Sequence, residues 1–388
     1  MDEQLVYLDN PATSFPKPPE VLRAMTAFTE NVGANPGRSG HRLSIESARI
    51  VYAAREAIAE MFHAPDPTRI IFGQNVTDAI NLALMGLLHP GDHVITSSME
   101  HNAVMRPLRA LEQTGVTLSV IPCAPDGSLD PQLLENAIRP ETVLIVINHA
   151  SNVNGTILPA RAAGAIATRR GLLFLCDVAQ TGGILPIDMQ ADGIDLLAFT
   201  GHKGLYGPMG TGGLIIGERV DLHRLKPLRR GGTGSRSELE IQPEFLPDRF
   251  ESGTLNAVGL AGLNAAVRWL LQRGISTIHQ QEQELTSRLL DELRSIPGVQ
   301  VYTPPEKYRR VSVISFNIQG IEPSEVGFTL DDEFGILSRV GLHCAPAAHR
   351  TLGTFPSGTV RFGLSAFTTP AEIELALQAV QQIARRQR

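Results

Sequence analysis

Five polar side chains stand where apolar runs of this chain end. Asp177 follows the run LLFLC, and Lys203 lies in TGHKG just after LLAFT. His101 and Thr77 occupy SSMEHNAVMRPL and GQNVTDAINLAL, and Cys344 sits in SRVGLHCAPAAH, a segment without strong periodicity. Taken singly they are bland: a turn or N-cap aspartate, a solvated lysine, a structural histidine, a capping threonine. Taken together they are a chemical set. A lysine in a desolvated pocket can lose its proton and form a Schiff base. A carboxylate on a neighbouring strand end, costly there unless it meets a cation or several donors, can hold a ring nitrogen protonated. Thr77 is expected to open an amphipathic helix after Gly73, Gln74, Asn75 and Val76, and the free N–H groups of a helix start favour a phosphate. The His101 imidazole can stack on a planar ring and move protons.

These are the requirements of pyridoxal 5'-phosphate (PLP). PLP alone leaves transamination, racemisation, decarboxylation and elimination open, because the cofactor is the electron sink for all of them. Cys344 discriminates. Cys176 lies in an apolar run and Cys123 in VIPCAP, as packing residues do, whereas Cys344 is expected to be exposed beside His343 and near Arg339. An electropositive surrounding favours thiolate, which is the nucleophile. His343, Cys344 and His349 could be imagined around a metal, but no second ligand cluster is evident and no metal is predicted.

The elements that must carry these residues are legible as short apolar runs alternating with helical patterns from about residue 65 to 220. RIIFGQ, HVITSS, LSVIP, TVLIVINHA, LLFLCDVA, LLAFTG and GGLIIGE are the candidate strands. Runs apolar on both faces suit strands buried between helical layers, so an α/β fold with a doubly wound, mostly parallel sheet is predicted. Ligands then bind at the carboxyl ends of the strands. A Gly- and charge-rich stretch, with a long loop over about 229–250, precedes a change of pattern. Two helices over roughly 257–295, strands in VQVYT and RVSVISFNI, a helix near 323–334 and a final strand and helix read as a smaller α/β domain. The predicted division is a large domain at 15–255 and a small one at 1–14 and 256–388. GPMGTGG follows the lysine and does not form a G-x-G-x-x-G nucleotide-binding turn.

The 388 residues are 43% hydrophobic and 19% charged, ordinary globular usage that suits two domains. A net charge of −6 without long runs of one sign argues against capture of nucleic acid or anionic membrane. Three cysteines without C-x-x-C spacing suggest neither a disulfide framework nor a cysteine zinc site. The N-terminus lacks a secretory pattern and no apolar run reaches membrane length, so a soluble cytoplasmic protein is expected.

The ordered set YLDNPATS, NVTDAINLAL, SMEHNAVMRPL, HASNVNGT, CDVAQTGG, TGHKGLYGPMGTGGL, RFESGTLN and RVGLHCAPAAH resembles the cysteine desulfurases of the class V aminotransferases, PLP enzymes of fold type I. The short cysteine segment resembles the SufS-like branch, although ANPGRSGHRLS departs from that branch's HRGxHxLS pattern. The resemblance implies that Lys203 forms the Schiff base, Asp177 pairs with the pyridine nitrogen, Gln180 bonds the ring hydroxyl and His101 stacks on the ring. It implies phosphate contacts from Asn75, Val76, Thr77, Thr200 and His202, with Thr254 reaching the phosphate of a neighbouring subunit in a homodimer. Asn152 and Arg361 would bind the substrate α-carboxylate, and Arg339 would orient substrate or loop. The implied reaction converts L-cysteine to L-alanine and leaves a persulfide on Cys344 for an acceptor protein or thiol, as in iron–sulfur cluster assembly. Selenocysteine lyase activity, or another class V lyase or aminotransferase reaction, is the alternative.

Overall fold

The computed structural model describes residues 5–37, 39–306 and 309–386, so the first four residues of the predicted small domain lie outside the described residues. From β1 (Val6–Tyr7) the chain passes through α1 (Pro19–Asn31) and α2 (Arg42–Phe62) into the strands of the main sheet. These are β2 (Ile70–Gly73), β3 (His93–Ser97), β4 (Thr117–Ile121), β5 (Thr142–Asn148), β6 (Leu173–Asp177), β7 (Leu196–Thr200) and β8 (Gly212–Ile216). Between them lie α3 (Val76–Leu87), α4 (Asn102–Glu112), α5 (Pro131–Asn136) and α6 (Ala160–Arg170).

Strand order is β2-β8-β7-β6-β5-β3-β4, and only β8 runs against its neighbours. The predicted doubly wound, mostly parallel sheet is therefore what forms. Its strands are apolar on both faces for a physical reason. Ile147, Phe174, Cys176, Leu197 and Phe199 face a core shared with α2 and α6. Val146, Leu175, Leu196 and Ala198 face a second core under α3 and α4.

A long segment without regular structure leads to α7 (Ala257–Arg273) and α8 (Ile275–Ser295). The remainder holds β9 (Val299–Val301), β10 (Val313–Ile318), α9 (Pro323–Phe334), β11 (Ile336–Leu337), β12 (Arg339–Gly341), α10 (Pro346–Thr351), β13 (Thr359–Gly363) and α11 (Pro370–Arg385). An antiparallel sheet of order β12-β13-β10-β9 forms here, and β1 pairs in parallel with β11. Helix α7, which follows the 255/256 division expected from the sequence, buries Leu260, Leu263, Val267 and Leu270 in the core of the large sheet. Gly274, whose φ is 81°, breaks the chain between α7 and α8. Among the described residues no helix is long and apolar enough to cross a membrane.

Strands β5 and β6 end level, Asn148 paired with Asp177, while β7, whose Ala198 pairs with Asp177, runs two residues further to Thr200. The loops that follow β6 and β7 then touch backbone to backbone. A Cβ on Gly183, whose φ is 80°, would collide with the carbonyl of Gly204, next to Lys203. Gly183→Ala is therefore expected to cost about 1–3 kcal/mol through overpacking and a left-handed alanine. Urea unfolding checks this; unchanged stability would show that the two loops do not bear on each other.

Candidate active site

The ends of β6 and β7 carry Asp177 and the turn of Lys203, while Thr77, His101 and Cys344 line one cavity together. Asp177 closes β6 with 4% of its surface exposed, and its Oδ1 accepts from the backbone N–H of Ala179 at 2.8 Å. Burial raises its pKa, while that N–H and the Lys203 ammonium hold it down. Lys203 leaves the end of β7 in a tight turn that the Tyr206 N–H closes on the Lys203 carbonyl at 2.8 Å. Loss of water lowers its pKa to about 8, against the pull of Asp177. A neutral amine is thus accessible near physiological pH, as Schiff-base formation requires.

The N-terminal segment braces this turn. The carbonyl of His202 accepts from Ser14 N–H at 2.9 Å, Thr13 Oγ1 at 3.0 Å and Lys17 Nζ at 2.9 Å. Ser14 Oγ donates to the Lys203 carbonyl at 2.9 Å. Gln180 is drawn to the same segment, its Nε2 donating to the carbonyl of Pro11 at 3.1 Å.

Helix α3 starts one residue earlier than expected. Its cap is Asn75, whose side chain accepts from Asp78 N–H, and Thr77 is the exposed second residue of the helix. Capping therefore does not explain Thr77, and the helix start it shares with Val76 remains an anion site. Thr200 Oγ1 and His202 Nδ1 are buried without a hydrogen-bond partner. Burial lowers the His202 pKa to about 4. Orphaned buried polar atoms are uncommon, and here they fit the oxygens of a phosphate. Thr254 stands apart: it is exposed, accepts from Asn35 Nδ2 at 3.3 Å, and lines a cavity with Gln74 and Asp78.

His101 caps α4, its Nδ1 accepting from Ala103 N–H at 3.0 Å, so its proton resides on Nε2. Burial, with Lys203, Arg339 and Arg361 adding to it, lowers its pKa to about 4. The ring is neutral at pH 7. Beneath it Glu100 is fully buried and accepts from Ser97 Oγ at 2.5 Å and from Asn148 N–H at 2.9 Å, tying the ends of β3 and β5 together. Burial pushes its pKa up to about 8.

The segment after β12 carries Cys344 to the rim. The Asn102 N–H donates to the Cys344 carbonyl at 2.8 Å, which sets the cysteine beside His101. Asn152 Nδ2 donates to the His343 carbonyl at 2.7 Å. His343 and Cys344 both adopt left-handed φ, 46° and 57°, a strain of about 1–3 kcal/mol per residue. Cys344 is exposed, and Arg339 Nη2 donates to its Sγ at 3.6 Å. The positive charge near it is not shared by His343 as expected. His343 is 3% exposed, pairs Nε2 with Thr359 Oγ1 at 3.0 Å, and burial holds it neutral.

Arg361 is 1% exposed, so its guanidinium requires an anion. Asp9 supplies it at 2.7 Å, while Nη1 donates to the Asn152 carbonyl. Only Nε remains unpartnered, together with Asn152 Oδ1. A two-pronged guanidinium grip on the carboxylate expected to bind at Arg361 is thus not preformed. Asp9, Glu100 and Lys17 were missed in the sequence, although Asp9, in YLDNPATS, and Glu100, in SMEHNAVMRPL, lay within segments already singled out.

The aminotransferase class-V family pattern matches residues 6–376. A probable cysteine desulfurase of Methanothermobacter thermautotrophicus is 36% identical over 383 residues, 98% of this chain and 94% of the relative. An apo cysteine desulfurase of Thermococcus onnurineus NA1 superposes with a TM-score of 0.92 at 32% identity, covering 99% of this chain and 95% of that one. The Escherichia coli cysteine desulfurase CsdA, in an S-sulfonic acid form, gives 0.87 at 30% identity, with 98% and 95% covered.

The Lys203 amine sets a pH dependence. Below about pH 8 both folded and unfolded chains hold its proton, and the folded chain carries the full cost of a buried ammonium. Between about 8 and the ordinary value of 10.5 the unfolded chain binds more protons, so stability rises with pH. Lys203→Met should therefore stabilise the ligand-free protein by about 1–3 kcal/mol at pH 7, a gap that closes by about pH 10.5. Denaturation of both proteins across that range measures it; a gap independent of pH would refute the assignment.

Proposed function

Because this chain belongs to the aminotransferase class-V family, and within it is a cysteine desulfurase, we propose that Lys203, Asp177 and Cys344 carry its conversion of L-cysteine to L-alanine. The family is PLP-dependent, and the pocket fits that cofactor by the orphaned Thr200 and His202 atoms, the free start of α3 and the desolvated Lys203 beside Asp177. When bound, PLP supplies the electron sink that stabilises negative charge at the substrate α-carbon.

The residues divide the work. Lys203 would hold the cofactor aldehyde, and its amine would take the substrate α-proton. Asp177 keeps the pyridine nitrogen protonated, Gln180 orients the ring hydroxyl, and His101 covers the ring. Thr200, His202 and the N–H groups after Asn75 bind the phosphate, with Val76 and Thr77 at the helix start. Arg361 Nε and the second N–H of Asn152 Nδ2, the donors of that buried cluster, receive the substrate carboxylate.

Cys344 as thiolate attacks the substrate sulfur. An S–S bond forms, the C–S bond breaks with its electron pair left on the substrate β-carbon, that carbon takes a proton, and the proton held by Lys203 returns to the α-carbon to give alanine. Cys344 is oxidised to the persulfide, and an acceptor thiolate then takes the outer sulfur and regenerates the thiolate. Arg339, donating to Sγ, orients the sulfur before attack. Thr254, exposed on its own chain, reaches the phosphate of a second copy, so the working unit is a homodimer.

The observation that carries this reading is the exposed, strained Cys344 held beside His101 with a guanidinium on its sulfur. Cys344→Ser should retain the visible absorbance of the lysine–cofactor adduct yet lose alanine formation from L-cysteine by about 100-fold or more, the scale of removing a nucleophile. Equal amounts of alanine and sulfide from wild-type protein with a reducing thiol are expected. Unimpaired turnover by the serine variant would rule out transfer through Cys344.

A further inference from the structure

A cavity of about 30 Å³ lies against the Lys203 turn, lined by Gln180, Lys203, Tyr206, Glu282, Ser312 and Ser365. A water needs about 10–15 Å³ of such space and two to four polar partners, so one or two waters fit. Glu282, on α8, is 1% exposed. Its Oε1 accepts from the Tyr206 hydroxyl at 3.5 Å, and its Oε2 is buried with no hydrogen-bond partner. Ser312 faces the same carboxyl, but its Oγ does not meet hydrogen-bond geometry. No cation pairs with Glu282 among the described residues; the titratable groups facing this space are Lys203 and Tyr206.

A buried carboxylate without a counter-ion is far costlier than the acid. The acid also matches the geometry: one oxygen accepts from Tyr206, and the other, carrying the proton, donates into the cavity. Burial raises the group to about 8, while Tyr206 is pushed well above its ordinary value and stays protonated.

Resting on the reading of Lys203 as the cofactor-bearing lysine, we propose that this cavity is a water-binding site in which Glu282, as a neutral carboxylic acid, is a positioning residue. It fixes Tyr206 and, through the bound water, the turn that carries Lys203. The lever is short. Tyr206 holds a left-handed φ of 56°, its N–H closes the Lys203 turn, and its hydroxyl accepts from Ala366 N–H at 2.7 Å. Glu282 and Ala366 both lie beyond the Gly274 break, so the hydroxyl joins the catalytic turn to the C-terminal unit. Its ring meets Trp269 edge-on at 5.5 Å, and Trp269 is the only tryptophan of the chain.

Trp269 emission of the cofactor-loaded protein, titrated from about pH 6 to 10, should therefore shift with a midpoint near the value of about 8 held by Glu282. Glu282→Gln keeps an acceptor for Tyr206 and a donor for the water. Its emission should not titrate there, and it should retain most of the turnover that Glu282→Leu loses. The leucine variant should fall about tenfold in kcat with KM little changed, the scale of one buried hydrogen-bonded link. Tyr206→Phe, which keeps the ring and drops the hydroxyl, should match the leucine variant and serves if that variant does not fold. A glutamine variant as impaired as the leucine one, or one whose emission still titrates near pH 8, would overturn the proposal. Lys203→Ala, read by visible absorbance alone, tests the underlying lysine assignment separately.

Discussion

An amine and a carboxylate taken out of water side by side, Lys203 and Asp177, impose the main constraint on this molecule. Neither charge is tolerable alone in a pocket walled by apolar strands, and each moderates the other's pKa. Holding them close without collapsing the space between them takes two parallel strands of matched register and loops that touch through glycines. The sheet supplies the first. Gly182, Gly183 and Gly204 supply the second. Around that pair lie buried carboxyls whose pKa values burial raises, Glu100 and Glu282, and histidines that burial lowers, His101 and His202. The pocket is therefore populated by groups kept neutral by dryness, with charge reserved for a few positions.

Much of this was readable in the amino-acid sequence, for identifiable reasons. Strands buried on both faces must be continuously apolar, so LLFLC and LLAFT declared themselves and the polar residue after each became conspicuous. Helix α9 at Pro323–Phe334 coincides with the predicted span because proline at its start and Gly335 at its end mark both limits. What escaped prediction depends on contacts across long sequence separations. Helix α7 carries the same apolar spacing whether it packs on the large sheet or on the small one, so its spacing could not show where the division falls. Asp9 satisfies Arg361 from the other end of the chain, and Glu282 looks like any helical glutamate until its neighbours are known. His343 was read as a source of charge from its place beside Cys344, but the ring turns inward to Thr359 and is neutral there.

The cysteine segment shows how a reactive group can be exposed and still defined. Its backbone is pinned through Asn102 to α4, through Asn152 to the loop after β5, and through His343 to β13. Two successive left-handed residues then turn the Cys344 side chain outward. The strain is borne because those anchors over-determine the backbone. Rigidity in the main chain and access at the sulfur are thus separate properties, set by different atoms of the same two residues.

The brace formed by Thr13, Ser14 and Lys17 on the His202 carbonyl also bears on the order in which this protein is assembled. That segment follows β1, which finds its partner only in β11, and Asp9 bridges to Gly363 near the far end of the chain. Residues 9–17 must therefore wait for β11 and Gly363, more than 300 residues later, before they can close on the lysine turn. Contacts of such long range form late in folding. A chain that has completed its parallel sheet therefore still lacks the brace on the lysine turn, so the sheet and the finished pocket are separate stages of the same fold.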